Sequence, residues 1–121
     1  MPDLPLTGQC QCGSVKYQIT RAPLVGYNCH CTNCQRITGA PFSSSLVIPA
    51  DGFSITEGKP GRYEWASDVG SQRYGLFCKN CGTRLVHGMV PDTPMLSLRS
   101  GTLDDTSWLH PVGDIWTDSA Q

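Results

Sequence analysis

Seven cysteines fall in three short clusters: Gly8-Gln9-Cys10-Gln11-Cys12-Gly13, Cys29-His30-Cys31-Thr32-Asn33-Cys34 and Phe77-Cys78-Lys79-Asn80-Cys81-Gly82. A C-x-x-C turn lets two sulfurs converge on one tetrahedral zinc at about 2.3 Å, while backbone N–H groups of the turn hydrogen-bond the thiolates and offset their charge. Gly82, directly after Cys81, supplies the backbone freedom such a turn needs. A C-x-C pair can converge in the same way where the chain bends, and Gly13 after Cys12 suits such a bend. Two pairs supply four ligands. Cys10, Cys12, Cys78 and Cys81 are therefore assigned to a closed structural zinc site that ties the start of the chain to its later half. The competing readings are buried thiols or a Cys78–Cys81 redox disulfide, but a redox pair of this kind belongs beside a β-α-β pattern, which the sequence lacks.

The central cluster differs in its count. Cys29, Cys31 and Cys34 offer three sulfurs with no obvious fourth, the ligand number of a catalytic or exchangeable zinc site with one position open to water or substrate. His30 or His87 in that position would instead make a second closed site, and the sequence leaves the direction of both side chains open. A zinc with a free position lowers the pKa of a thiol bound there. Three thiolates already donate much charge to the metal and weaken it as a Lewis acid, so thiol delivery is favoured over carbonyl polarisation. Redox sensing by the same three cysteines is a further reading.

Composition narrows the alternatives. The 121 residues are one domain's worth of chain, and residues 1–121 are read as a single unit. No apolar run approaches the roughly 20 residues that span a bilayer, so no membrane partner is expected. Met1-Pro2-Asp3-Leu4-Pro5 has neither the basic start nor the apolar stretch of a secretory signal, which makes the cytoplasm the expected compartment. In that reducing setting an odd number of cysteines reads as metal binding rather than as a disulfide framework. Nine basic and ten acidic residues give a formal charge of −1 with no basic cluster. Two zinc–thiolate sites would take the total to about −4, so nucleic acid is not an expected partner. No Ser-His-Asp order, phosphate loop or paired-carboxylate motif points to other chemistry, and Asp104-Asp105 reads as turn or capping material.

The elements that must position these cysteines are short. Thirteen glycines and nine prolines punctuate the chain, and no apolar stripe at helical spacing runs beyond two turns. The expected fold is mainly β, a small zinc-stabilised antiparallel fold, with strands over 14–20, 42–48, 53–56, 62–67, 72–77, 84–88 and 95–99. Turn residues connect them at Pro49-Ala50-Asp51-Gly52, Gly58-Lys59-Pro60-Gly61 and Val90-Pro91-Asp92-Thr93-Pro94. A helix of one or two turns is expected after Cys31, capped by Thr32 or Asn33 and ended by Gly39.

The pattern C-x-C-G, C-H-C-x-x-C, F-C-x-x-C-G resembles the glutathione-dependent formaldehyde-activating (Gfa) family, which also includes centromere protein V. Supporting segments are Arg36-Ile37-Thr38-Gly39-Ala40-Pro41-Phe42, Gly101-Thr102-Leu103-Asp104-Asp105 and Asp114-Ile115-Trp116-Thr117-Asp118-Ser119. The resemblance implies a β-rich zinc fold shared with small Rab-GTPase exchange factors, with structural zinc on Cys10, Cys12, Cys78 and Cys81 and a second zinc on Cys29, Cys31 and Cys34. It implies a carbon–sulfur lyase that condenses formaldehyde with glutathione to S-hydroxymethylglutathione. It also implies more chain after the Trp116 segment. The alternative is a non-catalytic binding module that keeps the zinc-stabilised fold. If glutathione is the thiol, its carboxylates need guanidinium partners, and Arg36, close after Cys34, is the first choice, with Arg84 second. Phe42, Trp65 and Trp116 are read as core residues before pocket residues. Oligomeric state is not legible.

Overall fold

The computed structural model describes residues 1–67, 70–90 and 93–121. In strand β2 (Lys16–Ile19), Tyr17 and Ile19 turn inward and are almost wholly buried, while Lys16 and Gln18 face outward. That is the period-two rule of a half-buried strand. Strand β1 (Leu6–Gln9) pairs antiparallel with one side of β2, and β5 (Phe53–Glu57) with the other, forming a three-stranded sheet.

The second sheet has seven strands. It contains β3 (Val25–Cys29), β4 (Ser43–Pro49), β6 (Gly61–Ala66), β7 (Gln72–Phe77), β8 (Arg84–Met89), β9 (Met95–Arg99) and β10 (Asp114–Ile115), in the spatial order β10-β3-β4-β9-β8-β7-β6. All of its pairings are antiparallel except β10 on β3, which is parallel. Leu6, Tyr17 and Ile19 from the small sheet pack with Leu46, Ile48, Val86, Leu96 and Leu98 of the large one to form the core. Burial of each such apolar side chain stabilises the fold by about 1.5–3 kcal/mol.

The central strands β4 and β9 are buried on both faces, but only one face is apolar. Leu46, Ile48, Leu96 and Leu98 face the core, while Ser43, Ser45, Ser97 and Arg99 are buried on the opposite side. Buried polar groups of this kind need partners, so this second face marks where chemistry other than packing is built. A seven-residue helix, α1 (Thr32–Thr38), lies between β3 and β4 and ends at Gly39 in the left-handed conformation (φ 63°).

The mainly β, antiparallel expectation holds, as does the short helix. Strands β1 and β3 were not anticipated, because Leu6-Thr7-Gly8-Gln9 and Val25-Gly26-Tyr27-Asn28-Cys29 lack a run of β-branched or aromatic residues. The helix cap moves to Cys31, whose sulfur accepts the N–H of Cys34 at 3.3 Å and leaves Thr32 and Asn33 inside the element. Asp105 does act as turn material, since its Oδ1 accepts both the N–H and the hydroxyl of Ser107. The turn expected over Val90-Pro91-Asp92-Thr93-Pro94 includes Pro91 and Asp92, which lie outside the described residues. Among the described residues no helix is long and apolar enough to cross a membrane.

One glycine has a packing duty. Gly8 lies opposite Tyr17, whose hydroxyl is hydrogen-bonded to Thr102 Oγ1 at 2.7 Å, and a Cβ at Gly8 would run into the Tyr17 ring and the Thr102 carbonyl. Overpacking of this kind costs about 1–3 kcal/mol. Gly8→Ala is expected to lower the midpoint of urea unfolding accordingly, and a variant as stable as the parent would show that β1 does not approach Tyr17 and Thr102 this closely.

Candidate metal centres

The first cysteine group forms where two chain reversals meet. After β1 the chain turns through Cys10 and Cys12 with Gly13 at φ 79°, and after β7 it turns through Cys78 and Cys81 with Gly82 at φ 84°. Both glycines sit in the left-handed region that other residues enter only with strain. Cys10 Sγ is 3.6 Å from Cys12 Sγ, and Cys12 Sγ is 3.7 Å from Cys78 Sγ. All four sulfurs lie within 4.8 Å of one another. A tetrahedral zinc with sulfurs at about 2.3 Å would separate them by about 3.8 Å, so the spacing fits the ion.

Donors surround these sulfurs. The N–H of Val15 reaches Cys10 Sγ at 3.3 Å, that of Cys81 reaches Cys78 Sγ at 3.5 Å, and the Asn80 side-chain amide reaches Cys12 Sγ at 3.3 Å. Ser14 Oγ lies 3.2 Å from Cys12 Sγ, and Thr83 Oγ1 lies 3.2 Å from Cys81 Sγ. Hydrogen bonds from Ser14 and then Asn80 pull the Cys12 thiol down to about 7, and those from Thr83 pull Cys81 down to about 5. At Cys12 and Cys81 the thiolate form that a metal requires is thus favoured before any ion arrives, whereas at Cys78 the backbone N–H of Cys81 favours the thiolate but burial and the neighbouring thiols outweigh it and raise the pKa. The N–H of Gln11 donates to Thr83 Oγ1 at 3.0 Å, so one cysteine turn is stitched directly to the other.

The second group is held by the end of β3 and the start of α1. Cys29 is the last residue of β3, Cys31 caps the helix and Cys34 lies in its first turn, which brings three sulfurs within 4.8 Å of one another. Three convergent soft donors fit a zinc-like ion with one coordination position left over. Burial pushes Cys29 up to about 12 and raises Cys34 as well, with a hydrogen bond from Ser43 opposing the shift at Cys34. At Cys31 burial also opposes ionisation, but the N–H of Cys34 and the neighbouring thiols outweigh it and lower the pKa.

Neither histidine joins this group. His30 Nε2 is 2.8 Å from Asp114 Oδ1 and the ring packs against Phe42 at 5.1 Å between centroids. The parallel pairing of β10 with β3 delivers Asp114 to that position. His87 stands instead in the wall of a cavity of about 230 Å³ whose floor includes Cys29, Cys31 and Cys34. Burial first, and then the charges of Arg99, Arg73 and Arg84, push the His87 pKa down to about 3, so it is neutral at ordinary pH.

The rest of the wall departs from the sequence reading. Trp65 and Trp116, expected in the core, line the cavity, and Phe42 is partly exposed beside His30. The core is filled without them by aliphatic residues and Tyr17. The C-terminal segment contributes Ile115, Trp116 and Ser119 to the wall, fixed by Gln35, whose side-chain amide donates to the carbonyl of Ser119 at 2.7 Å. Arg36 stands exposed on α1 and is not part of the wall. Arg84 lies over Trp65, with its guanidinium carbon 5.6 Å from the ring centroid, beside the cavity rather than in its wall.

The cationic wall residues are Arg73 and Arg99, with Tyr27 and Ser45 nearby, none of which the sequence reading singled out. A signal did exist in Leu96-Ser97-Leu98-Arg99, where strict alternation with leucine puts Ser97 and Arg99 on a face away from the core.

The overall fold matches a Rhodobacter sphaeroides protein of known crystal structure, with a TM-score of 0.67 over 89% of this chain and 98% of that one, at 17% identity. In sequence the chain is 34% identical over 107 residues to a protein of Phaeosphaeria nodorum and 30% identical over 108 residues to one of Penicillium rubens. Both are provisionally named glutathione-dependent formaldehyde-activating enzyme. The alignments cover 84% and 85% of this chain but 55% and 56% of those proteins, so it spans about half the length of these relatives. The family description "Glutathione-dependent formaldehyde-activating enzyme" matches residues 5–119, and the chain belongs to that family.

Proposed function

We propose that the chain is one zinc-stabilised domain over residues 1–121 that acts as a carbon–sulfur lyase on adducts of glutathione with a small aldehyde, of the S-hydroxymethylglutathione type. The observation that carries this reading is the convergence of Cys29, Cys31 and Cys34 at the floor of a cavity while His30 is engaged by Asp114. Three sulfurs that line a cavity leave one coordination position for an exchanging ligand, whereas Cys10, Cys12, Cys78 and Cys81 supply a full set of four suited to structure.

Zinc bound by three thiolates would acidify a thiol taken at its fourth position. The chain's own residues supply the rest. Cys29, Cys31 and Cys34 would hold the ion, Ser43 and the N–H of Cys34 would support their charge, and Trp65, Ile115 and Trp116 line the cavity in which the reacting group would sit. In the lyase direction the C–S bond of the hydroxymethyl thioether breaks, its electron pair stays on sulfur as thiolate, and the hydroxyl proton passes to solvent water as the aldehyde carbonyl forms. Condensation is the same path reversed. A reducing compartment such as the cytoplasm suits the reading, because Cys29, Cys31 and Cys34 can act as metal ligands only as thiolates.

Native mass spectrometry with and without glutathione tests it. Two zinc ions per chain and a glutathione adduct are expected; one tightly held zinc with no response to glutathione would remove the exchangeable site.

A further inference from the structure

The face of the large sheet that carries Cys29 also gathers positive charge. Register pairs Cys29 with Ser43, Tyr27 with Ser45, Ser45 with Arg99, Ser97 with His87 and Trp65 with Arg73, so these residues share one surface across β3, β4, β9, β8, β7 and β6. Arg99 is only 7% exposed, and its Nη1 donates to Ser45 Oγ at 3.0 Å and to Ser43 Oγ at 3.4 Å. Its Nε is buried without a partner, as is Nδ1 of His87. The ion pairs among the described residues are Lys16–Glu57, Arg21–Asp51, His30–Asp114 and Arg62–Glu64, so none of them serves Arg73, Arg84 or Arg99.

A guanidinium this deeply buried without a carboxylate is costly unless an anion completes it. Ser43 stands between Arg99 and the three-cysteine group, its Oγ accepting from Arg99 Nη1 at 3.4 Å while its backbone pairs in register with Cys29. A zinc–trithiolate centre carries a net charge of about −1, which leaves the wall cationic. With Nη1 committed to the serines, the Nε–Nη2 edge remains, and that edge is the one that grips a carboxylate with two parallel hydrogen bonds.

We propose that Arg99, assisted by Arg73, is a carboxylate subsite that makes the cavity select thiols bearing a carboxylate over neutral or cationic thiols. This rests on the thiol-exchange reading of Cys29, Cys31 and Cys34, and the experiment separates the two. Calorimetric titration of the zinc-loaded protein with 3-mercaptopropionate, 2-mercaptoethanol and cysteamine is expected to show the acid binding about tenfold or more tightly than the alcohol, with the amine weakest. Arg99→Met is expected to reduce that preference to about threefold or less, and Arg73→Gln to weaken it severalfold.

Equal affinities for the three thiols would overturn the subsite while leaving thiol exchange intact. The thiol-free probe 3-(methylthio)propionate supplies the opposite arm. If no thiol binds but this anion does, and Arg73→Gln weakens it, the subsite stands and the thiol-exchange reading falls. Should Arg99→Met fail to fold, Arg73→Gln decides alone, and an unchanged acid preference in that variant would overturn the proposal.

Discussion

Cys78→Ser is expected to abolish the cooperative thermal transition seen by circular dichroism and to leave the chain with less than one tightly bound zinc at the four-cysteine site. Cys78 is 1% exposed and stands where β7 ends, its sulfur 3.7 Å from that of Cys12 across 66 residues of chain. Serine offers a harder oxygen donor on a shorter bond to a soft site that is already closed around four sulfurs. Structural zinc can contribute roughly 10–16 kcal/mol to folding, against a typical net stability of about 5–15 kcal/mol. Losing even part of that contribution is enough to unfold the domain. The variant also removes the sulfur that joins the turn after β1 to the turn after β7, leaving that connection to the Gln11–Thr83 hydrogen bond and to core packing. A Cys78→Ser protein with parental melting behaviour and unchanged zinc content would refute the structural assignment of this site.

Cys31→Ser should have the opposite profile, with thiol binding lost and the fold retained. Serine is among the best N-cap residues, so its hydroxyl can take over the acceptor role that Cys31 Sγ plays for the N–H of Cys34, and α1 keeps its start. The fold therefore has little to lose. What disappears is one of three sulfurs around an exchangeable position, and glutathione binding is expected to fall by about 100-fold or more, since even outer-shell changes at metal sites cost about 10–100-fold. Melting temperature and adduct formation are read on the same sample by calorimetry and native mass spectrometry. Parental glutathione affinity in a folded Cys31→Ser protein would show that the cavity does not use the three-cysteine centre.

The two variants differ because the two sites sit differently in the fold, and that difference was only partly readable from spacing. C-x-C and C-x-x-C are local geometries set by a turn and a following glycine, so each cysteine pair and the central triplet arise from chain neighbours, whereas the meeting of Cys12 with Cys78 joins residues 66 positions apart. The antiparallel β character and the short helix ended by Gly39 are local in the same way. Strand β3 was not legible because Gly26 and Asn28, residue types depleted in strands, interrupt its five residues, and its pairing with β4 is made only in the folded chain.

The direction of His30 depended on β10, a two-residue strand that pairs in parallel with β3 from 84 residues away and carries Asp114 with it. Arg36 drew attention by being near Cys34 in sequence, yet a helix only seven residues long turns it to solvent, while Arg99 arrives from β9 through strand register. The local convergence of each cysteine cluster was thus written into the order of the residues, because turns act over three or four positions. Which wall surrounds the three-cysteine group and which cations face it were decided only when distant strands were brought side by side, because sheet register joins residues that no local pattern connects.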